Sequence, residues 1–278
     1  MSRMTTDLHE AVIVIAREAG QAIMAVYEGT FDVQQKTDDS PLTAADMAAH
    51  QVITDGLRRL TPQWPVLSEE AADIPWSERS PWPTYWLVDP LDGTREFIKR
   101  NGEFTVNIAL IEQNEPIFGV VHAPVTGETW HARQGRNAYR RVGQVDTQIR
   151  TRSPATGALK VAASRSHRDA RTQAFLDAMG SIEEMSLGSS LKFCRIAEGA
   201  LDVYPRFGPT SEWDTAAAQC VLEAAGGALL APDGRAFRYN RRETLLNGDF
   251  VALGDMTLPW RTWLAQALGD EHGHARIA

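Results

Sequence analysis

Tyr85-Trp86-Leu87-Val88-Asp89-Pro90-Leu91-Asp92-Gly93-Thr94 is the stretch on which the reading of this chain turns. An apolar run, residues 85–88, gives way to two carboxylates three residues apart, and a hydroxyl follows at once. A proline and a glycine shape the turn between strand and loop, so the two acids can converge on one point. Hard divalent cations such as Mg²⁺ take oxygen ligands, commonly one or two carboxylates together with substrate phosphate. Two such ions can hold both the attacking water and the leaving oxygen of a phosphoryl transfer. Taken alone, D-x-x-D-G-T is equally an Asx-rich surface turn. Its surroundings decide.

Glu69, Asp89, Asp92 and Asp214 share one kind of context: each lies where an apolar element gives way to a loop or helix start. Acids at element ends can converge without being sunk in the core. Held together, their like charges would be strained without a cation. With 36 Asp and Glu in 278 residues, four unrelated surface acids stay open as the alternative on counting alone.

Around this centre the periodicity sets out the elements. Leu8, Val12, Ile15, Ala19, Ala22 and Val26 recur at helical steps, with Gly29 as the stop. After the polar loop 34–41, Thr43 reads as the N-cap of a second helix bearing Ala49, Val52, Ile53, Leu57 and Leu60 on one side. Asp46 then falls in its first turn, where the dipole alone would favour an acid. Residues 64–67 read as a short strand, 71–84 as a loop, and 104–110 as a strand of period two. Segments 117–122 and 128–132 continue as a meander, with Pro124 and Gly127 in the turn. The polar stretch 141–158 suits a subdomain boundary, giving an α+β half over 1–150 and an α/β half over 151–278. In the second half, strands are expected at 159–163, 201–204 and 228–230, and helices near 168–179, 189–198 and 214–225.

The bulk numbers exclude several classes. The chain is 43% hydrophobic and 23% charged, enough for one large domain or two closely packed ones. No apolar run approaches the ~18 residues of a membrane span, and the N-terminus lacks a signal-peptide pattern. A cytoplasmic protein is expected, with a peripheral seat on the inner membrane as a variant. Cys194 and Cys220, the only cysteines, fall on apolar helix faces and read as buried thiols. No Cys/His group has zinc spacing. A net charge of −8 argues against a polymeric nucleic-acid partner but not against a small anion. Carboxylates gathered around metal ions present a locally positive site.

Val66-Leu67-Ser68-Glu69-Glu70, then Trp86 to Thr94, then Glu212-Trp213-Asp214-Thr215-Ala216-Ala217 resemble, in order and spacing, the three signatures of the inositol monophosphatase superfamily. The resemblance covers essentially the whole chain. Within the superfamily, Arg95 to Ile111, Lys36 with Ser40 to Asp46, Ser164-Arg165-Ser166-His167 and Ser190 to Cys194 resemble the CysQ-type 3′(2′),5′-bisphosphate nucleotidases. Ser68 departs from the glycine found in many relatives, at a position that shapes backbone and supplies no ligand.

The resemblance implies a layered αβαβα sandwich and a magnesium-dependent phosphatase acting on adenosine 3′,5′-bisphosphate to give AMP. It implies that Glu69, Asp89 and the Leu91 carbonyl bind one Mg²⁺, that Asp89, Asp92 and Asp214 bind a second, and that a third, weaker ion would lie nearer Asp46. Gly93 and Thr94 would open a helix facing the phosphate. Asp46, Thr94 and Glu69 are the implied catalytic residues, with the Thr94 hydroxyl paired to Asp46 and orienting the water. Attack would be in-line by metal-activated water, without a phosphoenzyme.

Substrate contacts are expected from Glu69, Leu91, Asp92, Gly93, Thr94 and Asp214, with Ser164, His167 and Lys192 on the nucleotide side. Arg165 and Arg195 could touch the second phosphate or base, or be solvated faces. Asp202 could meet a substrate hydroxyl or serve as an anchor, and Glu70 could reach a metal through water or be an exposed neighbour. The partner is thus a small phosphate ester, and a homodimer is compatible with it. Inositol monophosphatase and histidinol-phosphatase are the alternatives within the superfamily. A structural Ca²⁺ cluster without activity is the alternative outside it. An aspartyl-phosphatase of the haloacid dehalogenase type would need acids two residues apart, not three.

Overall fold

Strand alternation sorts the apolar residues into layers. The structure, a computed structural model, describes residues 5–29, 41–163 and 169–268. Two long helices, α1 (Thr6–Tyr27) and α2 (Pro41–Leu60), pack side by side and cover one face of a seven-stranded sheet. That sheet runs in chain order through β1 (Val66–Ser68), β2 (Thr84–Asp92), β3 (Thr105–Glu112), β4 (Glu115–Ala123), β5 (Glu128–Arg133), β6 (Ala138–Val142) and β7 (Val145–Ile149). Its first pair is parallel, and the rest form an antiparallel meander. The short helices α3 (Trp76–Arg79) and α4 (Thr94–Ile98) flank β2.

A second sheet contains β8 (Leu159–Ala163), β9 (Ile182–Ser186), β10 (Val203–Arg206), β11 (Ala228–Leu230) and β12 (Phe250–Leu253), in the order β11-β12-β10-β8-β9. Helix α5 (Ala170–Met179) covers its outer face together with the C-terminal α8 (Trp260–Leu268). Between the two sheets lie α6 (Leu191–Ala197) and α7 (Ala216–Ala224). The result is five layers, αβαβα, the expected sandwich.

The central strands are buried on both sides, so apolar residues fill most of them, and Asp89, Asp92, Thr105 and Asn107 are polar exceptions grouped at one end of β2 and β3. Trp86, Val88, Ile108, Leu110 and Val120 face α1 and α2, while Tyr85, Leu87, Ala109, Ile111 and Val121 face the middle layer. Val161, Val203, Val251 and Leu253 point out to α5 and α8, and Ala162, Tyr204, Phe250 and Ala252 point in. The alanines after Asp214 have a packing reason. A Cβ on Gly119 of β4 would come within 2.2 Å of the Ala217 carbonyl, so α7 lies almost backbone to backbone on the sheet.

Several expectations are corrected. Helix α2 begins at Pro41, a residue favoured in the first helical turn, so Thr43 lies inside the helix and Asp46 in its second turn. The 141–158 stretch is not irregular throughout. Its first part forms β7, whose residues are mostly exposed at a sheet edge and therefore polar. The loop 71–84 contains α3. Strand β9, also an exposed edge, strand β12 and helix α8 were not foreseen. Cys194 and Cys220 are buried free thiols, as read.

Candidate active site

The decisive stretch is strand almost to its end. β2 continues through Asp92, and its register against β3 slips: Asp89 pairs with Asn107, and Asp92 with Thr105. Three steps on β2 therefore match two on β3, a bulge of one residue. In an unbroken strand, residues three apart face opposite sides. The bulge cancels that inversion and turns both acids to one side. Pro90, which has no N–H for the ladder, sits where β1 no longer pairs, since β1 stops opposite Val88. Gly93 then takes φ +98°, and a Cβ there would meet the Glu103 carbonyl at 3.0 Å and Ser189 Cβ at 3.2 Å. Thr94 opens the short α4.

Asp214 arrives from the other half, in a single turn of 3₁₀ helix (Glu212–Asp214) between β10 and α7. One carboxylate oxygen of each of Asp89, Asp92 and Asp214 lies within 4.8 Å of the other two. Each carboxylate also has an oxygen held by a backbone amide. Leu91 N donates to Asp89 Oδ1 at 3.0 Å, Ser190 N to Asp92 Oδ2 at 2.7 Å, and Ser211 N to Asp214 Oδ2 at 2.9 Å. The chain thus fixes three carboxylates by one edge and turns them toward a common point.

Glu69 follows β1 and lies close enough to Asp89 and Trp213 for both to act on its carboxyl. Asp46, buried on α2, lies within range of Glu69 and Glu70. Burial and mutual repulsion push these carboxyls up: Glu69 to about 7, and Asp46 and Asp214 each to about 8. Asp89 lies well above the usual range, through burial first and then the charges of Asp92, Glu69, Asp214 and Asp46. Among the described residues, no Lys or Arg side chain forms an ion pair with Glu69, Asp89, Asp92 or Asp214. A group of hard oxygen donors that repel one another, offset only from a distance by Lys192 and Arg206, fits divalent cations such as Mg²⁺.

A cleft of about 320 Å³ opens beside the cluster, lined by Asp92, Gly93, Thr94, Lys192, Arg206 and Asp214 among others. Lys192, 6% exposed, donates to the carbonyls of Leu187 (3.2 Å) and Ser189 (2.7 Å), with its ammonium 5.1 Å from the Tyr204 ring centre. Burial lowers its pKa to about 8. Arg206 is a wall residue that the sequence reading missed; it holds the 208–209 turn through the Gly208 and Pro209 carbonyls. Its only sequence signal was a basic residue ending a strand.

The Leu91 side chain is anchored in the core beneath α1 and α2. Among the described residues, no direct hydrogen bond joins the Thr94 hydroxyl to Asp46. Ser164, Arg165 and His167 lie outside the described residues. Asp202 is an anchor: fully buried, it pairs with Arg152 and accepts the Lys160 N–H at 2.7 Å. Arg195 is engaged by Glu198 and Glu128 over the Trp130 ring and does not line the cleft.

Comparison with known proteins places the chain in a family. The chain matches the inositol monophosphatase family over residues 4–269. It is 53% identical over 244 residues to the 3′(2′),5′-bisphosphate nucleotidase CysQ of Escherichia coli K12, covering 87% of this chain and 97% of that protein. It is 38% identical over 262 residues to the protein of the same name from Aggregatibacter actinomycetemcomitans, covering 94% and 97%. Among solved structures, CysQ from Bacteroides thetaiotaomicron superposes with a TM-score of 0.83 at 39% identity, over 91% of this chain and 99% of that one. The chain belongs to the inositol monophosphatase family and is an enzyme of the phosphatase class.

Proposed function

We propose that this chain is a Mg²⁺-dependent phosphatase that removes the 3′-phosphate of adenosine 3′,5′-bisphosphate, giving AMP and phosphate. The observation that carries the reading is the trio Asp89, Asp92 and Asp214, each steered by a backbone amide at the mouth of a cleft that also holds Lys192 and Arg206. The nucleotidase names of the relatives from Escherichia coli and Aggregatibacter actinomycetemcomitans support the substrate.

Glu69, Asp89 and the Leu91 carbonyl would hold one ion, Asp89, Asp92 and Asp214 a second, and Asp46 would face a third. Bound there, the ions supply charge neutralisation and lower the proton affinity of water near neutral pH. The chain's own groups do the rest. Gly93 and Thr94 present their amides to the phosphate being transferred. The Thr94 hydroxyl and Asp46, not bonded to each other directly, orient the attacking water from two sides, beside Glu69. Displacement is in-line and leaves no covalent aspartate, since Asp89 and Asp92 act as a paired ligand set. Lys192 and Arg206 supply positive charge for the second phosphate; Ser164 and His167, outside the described residues, are the nucleotide-side residues that the resemblance implies. Residues 1–150 carry most ligands and 151–278 close the site. A homodimer in the cytoplasm, with or without a peripheral seat at the inner membrane, completes the reading.

One assay tests it: Mg²⁺-dependent phosphate release from adenosine 3′,5′-bisphosphate, inositol 1-phosphate and histidinol phosphate, measured side by side. The bisphosphate should give the highest kcat/KM. A higher value for either of the others replaces this substrate with that one. No release from any of the three refutes the enzymatic reading in favour of a structural cation cluster.

A further inference from the structure

Four donor groups stand within 3.5 Å of a single oxygen, Asp92 Oδ2, although the one Thr105 proton is nearer to Asn107 Oδ1. Ser190 provides two of them, its backbone N–H at 2.7 Å and its hydroxyl at 2.8 Å. Asn107 Nδ2 stands at 3.3 Å and the Thr105 hydroxyl at 3.5 Å. The donors are themselves set in place, because Thr105 Oγ1 reaches Asn107 Oδ1 at 3.1 Å and Asn107 Nδ2 reaches Ser190 Oγ at 3.0 Å. Ser190 Oγ also lies 2.9 Å from the backbone carbonyl of Asp214. Ser190, Asn107 and Thr105 are each no more than 1% exposed, so no bulk water competes for these bonds.

The three groups that meet at Ser190 come from different layers. Asp92 ends β2 in the first sheet, Ser190 immediately precedes α6 between the sheets, and Asp214 precedes α7. A carboxylate rotates in a broad, two-fold well about its last torsion. Saturating one oxygen with donors removes that freedom and leaves the other oxygen facing the cluster. Outer groups of this kind orient metal ligands, and their loss typically costs about 10–100-fold in metal affinity or activity.

We propose that Ser190 is a positioning residue. Its single hydroxyl proton lies between Asp92 Oδ2 (2.8 Å) and the Asp214 carbonyl (2.9 Å) and is shared by them, so that the two halves of the chain present their carboxylates to a cation in one fixed arrangement. The inference rests on the metal-centre reading of the cluster. Its mechanism is geometric: Ser190→Ala keeps the backbone amide but removes the hydroxyl proton that Asp92 Oδ2 and the Asp214 carbonyl share, and the oxygen that accepts from Asn107.

The test is Mn²⁺ binding by calorimetry on the full chain, with the fold followed by circular dichroism and turnover measured against Mg²⁺ concentration. Ser190→Ala should raise the dissociation constant about 10–100-fold, with an unchanged spectrum and with kcat recovered at high Mg²⁺. Ser190→Thr, which restores a hydroxyl, should stay within about threefold of the parent chain. A folded Ser190→Ala that binds Mn²⁺ as tightly as the parent overturns the proposal. Should that variant not fold, Ser190→Cys makes the same comparison with a weak donor of similar shape, and parental affinity there overturns it equally. A parent chain that takes up no Mn²⁺ refutes the metal centre itself, which is a separate failure.

Discussion

Opposite ends of the seven-stranded sheet hold two knots of acids, and they are built on opposite rules. At the β6–β7 edge, Arg141 makes paired hydrogen bonds to Asp146 (2.7 and 2.7 Å) and to Glu10 of α1 (2.7 and 3.0 Å). The guanidinium holds Asp146 down to about 2 and lowers Glu10 as well. At the β1–β2 end, among the described residues, Glu69, Asp89 and Asp214 have backbone amides, Trp213 and each other beside them, and no ion pair is formed. Arg206 acts on Asp214 only from a distance, and all three are raised. The first knot carries its own counter-charge, so it is complete on folding. The second has no ion pair of its own, which on the proposed function leaves room for a cation from solution. The same residue types therefore make a clasp in one place and a receptor in the other.

The largest expected effect comes from altering the receptor. Asp92→Asn should lower turnover at least a thousandfold, because the several kcal/mol of charge stabilisation at the phosphate depends on the full ligand set. The metal-free fold should melt no lower than the parent, since one of several repelling charges has gone. Turnover within tenfold of the parent would break the two-ion assignment. Metal-free destabilisation comparable to that of a broken ion pair would erase the contrast between the knots.

Next in size is the response to metal. A ligand that binds only the folded state at about 100 times its dissociation constant stabilises by roughly 2.7 kcal/mol. Thermal melts should therefore rise by several degrees on adding Mg²⁺ and fall back with a chelator. The rise should disappear in Asp89→Asn and persist in Arg141→Met. A parent melting temperature indifferent to Mg²⁺ would contradict the receptor half of the comparison.

The two knots were unequally legible in the sequence. The receptor was readable because its acids sit in ordered signatures, and because apolar runs on either side mark them as element ends. What could not be read was the bulge: Asp89-Pro90-Leu91-Asp92 reads as a turn, whereas β2 runs through it with one extra residue. Nor could the Ser190–Asp92 bond be foreseen, since it joins residues 98 positions apart. The helix pair α1–α2 followed from its 3.6 period. Strands β7 and β9 did not show, because exposed edges lack the apolar alternation that marks a half-buried strand. The clasp was invisible: Glu10, His131, Arg141 and Asp146 lie on four elements, and no local pattern ties a guanidinium to acids that the fold alone brings near.

The smallest effect should come from the clasp, and it has its own pH signature. Arg141→Met at pH 7 should destabilise by about 1–2 kcal/mol, toward the weak end for an ion pair because the Glu10 and Asp146 carboxyls are partly exposed. Turnover should not change. The folded-state pKa of Asp146 lies below its ordinary 3.8, so its contribution is fully present above that value and is lost as the pH falls toward about 2. His9 and His131 touch the same knot. Burial lowers both, His9 to about 4, so the unfolded chain takes up their protons first, as the pH falls below 6.5. The window that reports on Asp146 therefore lies below pH 4. Denaturant melts of the parent and Arg141→Met should differ most near neutrality and draw together between pH 4 and 2. A gap that stays constant down to pH 2 would mean that Arg141 stabilises the edge through packing of its stem, and that the acids around it contribute little.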